Sequence, residues 1–147
     1  MIEPPHGTLD TPLGTVSFTM TEASHVYLCS EGSKGQAVTI RGIPYHVAYH
    51  CHFVDGKWTA KDHHDPYLSR NDCYKEASQP ARNTAREVLA KAWTEYLAAH
   101  PELSRQAEQA KAAREVEQLQ SELADLESKA AAKRKELSAA KKRQAAL

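Results

Sequence analysis

Beyond Gly56 the chain contains no glycine, and its 147 residues include only three cysteines, two methionines and two tryptophans. The cysteines, Cys29, Cys51 and Cys73, are odd in number and widely spaced. That argues against a disulfide framework and a paired CxxC knuckle, and reduced thiols are expected, with Cys51 buried; a mixed site of Cys29 or Cys73 with His63 or His64 is the weaker alternative. No apolar run approaches the ~18 residues of a membrane span. The first residues, MIEPPHGTLDTPLG, carry acid and proline where a signal peptide carries basic and then apolar residues. Secretion is therefore not expected, and the expected compartment is the cytoplasm. There is no GxSxG, no P-loop, no GxGxxG and no HEXXH, so no motif points to catalysis and an enzyme is not expected. There is also no repeat of solenoid length.

What is present is divided sharply near residue 79. All six glycines and eight of the ten aromatic residues lie before it, whereas 18 of the 68 residues from Pro80 onward are alanine. Glycine and aromatics in alternating patterns favour sheet; Ala, Glu, Lys, Leu and Gln without glycine favour long helix. The fold class is α+β: an N-terminal antiparallel β-meander of about five strands covered by one helix, then a long coiled-coil-like helix. Residues 1–14 read as an arm, 15–100 as the sheet-plus-helix module, and 101–147 as an extended helical segment with a basic tail.

In the arm, Pro4, Pro5, Pro12, Gly7 and Gly14 predict a loop. Strands follow at Thr15–Met20, His25–Cys29 and Ala37–Arg41, each with apolar residues on one face. The most informative strand is Tyr45–Val54. It puts Tyr45, Val47, Tyr49, Cys51 and Phe53 on one side and His46, Ala48, His50 and His52 on the other. Asp55-Gly56 predicts a two-residue hairpin whose register sets Phe53 opposite Trp58. A helix over Ala81–Ala99 supplies the cover through Val88, Leu89, Ala92, Trp93, Tyr96 and Leu97. Its start is either Ser78 with Pro80 or a capping box at Thr84–Glu87.

Past Pro101, which starts a new helix or kinks a continuous one, a heptad pattern emerges. Val116, Leu123, Ala130 and Leu137 occupy one core position. Ala112, Leu119, Leu126, Lys133, Ala140 and Leu147 occupy the other. The seam is strongest at Val116, Leu119, Leu123 and Leu126, resumes at Leu137, and carries a defect at Lys133. Charge segregates along it: residues 101–128 have 3 basic and 7 acidic side chains, and 129–147 have 7 basic and 1 acidic. A parallel pairing sets Glu122 against Glu127 and Lys129 against Arg134, whereas antiparallel pairing brings acidic onto basic stretches.

The functional expectation is a small non-enzymatic interaction or accessory protein, of the compositionally divided kind frequent among phages and mobile elements. Its β-module binds a partner, and its C-terminal helix oligomerises, antiparallel rather than parallel, or docks on another protein. No cofactor is required. A second reading uses Lys133, Arg134, Lys135, Lys141, Lys142 and Arg143 against nucleic-acid phosphates, without sequence readout. A third takes His46, His50, His52, His63 and His64 as ligands of a metal such as zinc. In an HNH-like enzyme built on them, Asp62, Asp65 and Asn71 would follow the hairpin, and His100 would serve as the missing helix histidine.

Overall fold

The computed structural model describes residues 2–30, 38–60, 66–70 and 77–147. Among the described residues, seven strands and two helices follow one another: β1 His6–Thr11, β2 Gly14–Glu22, β3 His25–Cys29, β4 Val38–Ile40, β5 Ile43–Val54, β6 Lys57–Ala60, β7 Tyr67–Ser69, α1 Gln79–Ala99 and α2 Glu102–Ala146. All strand pairings are antiparallel. The chain divides into two compact units, one running to Lys111 and the other from Ala112 to Leu147.

The 12-residue strand β5 organises the first unit. β3 pairs along its Ala48–His52 segment and β4 along Ile43–Tyr45, while β6 and β7 pair with Cys51–Val54 and His46–Ala48. The sheet is thus not a strict meander, because β3 bonds to β5 and skips β4. Ser30 extends the β3 ladder: its amide donates to the Val47 carbonyl at 3.0 Å, and its hydroxyl accepts from the Val47 amide at 2.7 Å. Two hairpins close on two-residue turns with positive φ at both positions, Arg41-Gly42 (54° and 81°) and Asp55-Gly56 (51° and 78°). Arg41, expected as the last residue of a strand, is therefore a turn residue.

Residues 1–14 are not the expected loop. His6–Thr11 is a full edge strand on β2. The prolines that argued against a strand sit outside it, Pro4 and Pro5 before and Pro12 in the turn, where no ladder amide is needed. Gly7 lies opposite Phe18, and a Cβ there would come within 3.1–3.2 Å of the Phe18 ring. Glycine lets the ring pack closely there; a larger residue would oblige the ring to give by a few tenths of an ångström. The other unexpected strand, β7, has three residues, too short for a pattern to show.

One face of the sheet is the core. Val16, Phe18 and Met20 of β2, Val26 and Leu28 of β3, and Tyr45, Val47, Tyr49 and Cys51 of β5 are buried on it. Helix α1 covers this face and touches β1 at one edge and β6 at the other, so the sheet curls about it. Its buried side chains, Ala81, Ala85, Leu89 and Trp93, are four residues apart. Alanines bring the first turns close to the sheet, and Trp93 fills the wider end. Its ring centroid lies 5.1 Å from Phe18, 6.0 Å from Trp58 and 5.9 Å from Tyr96. Val88, expected on this face, instead lines a shallow groove with Pro12, Lys91, Ala92 and Glu95. Phe53 and Trp58 pair as the register required, with centroids 5.3 Å apart, but Phe53 is exposed.

Ser78 is the N-cap, its Oγ accepting from the Ala81 amide at 3.3 Å. Thr84 does not cap: it lies inside the helix and bonds back to the Pro80 carbonyl at 3.0 Å. Pro101 separates two helices rather than kinking one. His100 leaves helical geometry at φ −129° and ψ 65°, stacks on Tyr96 at 4.1 Å, and bonds through Nδ1 to the Tyr96 carbonyl at 2.8 Å. The first turns of α2 belong to the first unit: Ala107 and Ala110 are buried, Glu108 accepts from the Ala23 amide at 2.8 Å, and Lys111 pairs with Glu22 at 2.7 Å.

Candidate functional site

The second unit, Ala112–Leu147, is helix to Ala146. Val116, Leu119, Leu123, Leu126 and Leu137 are 54–63% exposed. Their spacing, mostly of three and four residues, puts them on one face of the helix as an exposed apolar stripe. Lys133, the seam defect, leans to Glu136, with Nζ 3.1 Å from Oε2. Arg134, Lys135, Lys141, Lys142 and Arg143 are all exposed. Arg134 and Lys141, three and four residues from Leu137, stand beside it, whereas Lys135 and Lys142 lie on the far side of the helix.

The first unit offers a different surface, the open face of the sheet. Its parity collects His46, Ala48, His50 and His52 of β5 with His25, Tyr27 and Cys29 of β3. Ladder register, not chain order, decides what meets. His25 stands opposite His52 and Tyr27 opposite His50. The ring centroids are 4.3 Å apart for His25–His52, 5.9 Å for His25–His50 and 4.4 Å for Tyr27–His50. His46 is remote from this cluster. It pairs with Ser69 of β7, four residues along β5 from His50, about 13 Å at strand rise.

Glu22, His25, His52 and Thr59 form one row across four strands. The Glu22 carboxyl is held below the usual carboxylate range, chiefly by its hydrogen bond to Lys111, with Ser24 and the nearby His25 contributing. Burial raises the Tyr27 phenol, with Cys29 adding to the effect. Burial also pushes the Cys51 thiol far above its ordinary range, so it stays protonated and inert. Nε2 of His52 and Nδ1 of His46 are buried without a hydrogen-bond partner.

No family model matches this chain, and no curated protein and no solved structure matches it either.

Among the described residues, no group of three or more His, Cys, Asp or Glu side chains is set to hold a metal ion. His46, His50 and His52 share a face as expected, yet only the last two lie close to His25. His63, His64, Asp62, Asp65, Asn71 and Cys73 lie outside the described residues. His100 is engaged at the α1 terminus with Tyr96. The residues that sequence reasoning missed are His25 and Tyr27. Their parity, opposite to Val26 and Leu28, was legible; that β3 pairs with β5 was not. No described helix is long and apolar enough to cross a membrane.

Proposed function

We propose that this is a non-enzymatic assembly protein whose Ala112–Leu147 segment pairs with the same segment of a second copy, antiparallel, leaving the β-module to engage a further partner. The observation that supports the reading is the exposed stripe Val116, Leu119, Leu123, Leu126 and Leu137. Apolar side chains in this pattern gain on the order of 25 cal/mol for each Å² of apolar surface removed from water.

Charge supports the orientation. Residues 112–128 carry Arg114 against Glu115, Glu117, Glu122, Asp125 and Glu127, a net of −4. Residues 129–147 carry seven basic side chains against Glu136, a net of +6. A parallel pair stacks each stretch on its like, and an antiparallel pair stacks each on its opposite. The same distribution also complements the helix dipole, so it favours the helix in either state.

Two measurements test the reading. Sedimentation of the full chain gives the mass, and a monomer at ~100 µM ends the proposal. Spin labels at position 147 of each copy give the orientation. A 35-residue helical overlap separates antiparallel labels by about 50 Å, whereas parallel labels lie within about 15 Å. A short distance overturns the antiparallel arrangement while leaving assembly intact.

A further inference from the structure

We propose that His25 and His52 form a two-histidine chelate for a divalent transition metal ion of the zinc type on the open face of the sheet. This site is independent of the helix seam. Three observations carry it. The two residues are directly opposed in the β3–β5 ladder, with ring centroids 4.3 Å apart. Nε2 of His52 is buried and has no protein hydrogen-bond partner, a polar atom left for a ligand to satisfy. Glu22 stands on the other side of His25 in the same row, close enough for the two to interact electrostatically.

The chemistry of the face narrows the ligand. Strands β2, β3 and β5 place Ser, Thr, Tyr, His, Cys and Ala on it, with Glu22 at the end of β2, and no Lys or Arg. The cation nearest this row, Lys111, comes from α2 and is already paired with Glu22. The strongest metal-binding groups of the face are imidazoles, which suit Zn²⁺, Cu²⁺ and Ni²⁺ and not the hard cations Mg²⁺ and Ca²⁺. Two tetrahedral bonds of about 2.0–2.1 Å set the nitrogens roughly 3.3 Å apart. Directly opposed strand residues have Cβ atoms about 4.5–5.5 Å apart, so rotation of the two side chains reaches that separation with the backbone unmoved. A carboxylate next to a ligating histidine is the usual outer partner of such a site, and Glu22 occupies that place. The remaining metal positions are left to water or an exogenous ligand.

The test uses the full-length chain, stripped with chelator, at pH 7.5. Titration calorimetry with Zn²⁺ is expected to show one saturable site, and Mg²⁺ none. His25→Gln and His52→Gln are each expected to weaken Zn²⁺ binding at least ~10-fold, and His46→Gln, six residues and some ~20 Å from His52 along β5, to leave it unchanged. Metal-free thermal unfolding of each variant shows whether it folds. A measurement on the unaltered protein stands beside the variants: Zn²⁺ is expected to shift the imidazole NMR signals of His25 and His52 and leave those of His6 and His100 in place. Absence of saturable binding up to 1 mM Zn²⁺ (about 4 kcal/mol of binding) overturns the proposal. So does undiminished binding in folded His52→Gln, or a shift confined to other histidines.

Discussion

Replacing Leu123 by alanine separates assembly from folding. Leu123 is 56% exposed in the single chain, so roughly half of its burial remains to be gained when a second helix covers it. Full burial of a leucine is worth about 1.5–3 kcal/mol, which leaves about 1 kcal/mol per chain. A symmetric pair contains the residue twice, so Leu123→Ala is expected to cost about 2 kcal/mol per dimer, a rise of roughly thirty-fold in Kd. The fold of the single chain should hardly notice. An exposed helical leucine loses little to alanine, the best helix former, and the change should stay within about 0.5 kcal/mol. Sedimentation equilibrium over a hundred-fold range of concentration measures the first effect, and denaturant unfolding measured well below the dimer Kd the second. Glu117→Ala, on the outer face of the helix, is the control and should leave Kd nearly as it was. A Leu123→Ala protein that dimerises as tightly as its parent would refute the reasoning, because the stripe would then be a solvated surface.

Two further perturbations address the body of the protein. Trp93 is fully buried and its Nε1 has no partner, so Trp93→Ala should cost about 3–5 kcal/mol, whereas Trp93→Phe, which keeps an aromatic ring and forfeits no hydrogen bond, should cost distinctly less; equal losses in urea unfolding would contradict this packing. Glu22 is lowered chiefly by Lys111, so Lys111→Met should raise its pKa, read from the Glu22 carboxyl carbon by NMR between about pH 2 and 6. A carboxyl lowered by folding adds stability above its unfolded value near 4.3 and loses it as pH falls through the folded value. The difference between the two proteins, about 0.2–1 kcal/mol for a partly exposed pair, should therefore be present at neutral pH and vanish in acid.

Much of this architecture is written locally. The alternation Tyr45–Phe53, the Asp55-Gly56 turn and the Phe53–Trp58 register follow from a side-chain period of two and a turn that tolerates positive φ. Ser78 before Pro80 marks a helix start, and the Val116–Leu126 heptads mark an apolar stripe whether or not anything covers it. Each of these depends on residues a few positions apart, and a linear pattern contains that information.

What only the tertiary structure decided depends on distant residues. His6–Thr11 is a strand because β2 offers an edge and Gly7 makes room for Phe18, a fact invisible in a segment framed by prolines. Leu89 and Trp93 are buried and Val88 is not, because the curled sheet admits a narrow line of α1. His25 meets His52, and Tyr27 meets His50, because β3 joins β5 across the intervening β4. Composition and period determine which faces are apolar; which strands become neighbours is set by the global packing that buries those faces together. The chemistry of the open face rests on that second choice.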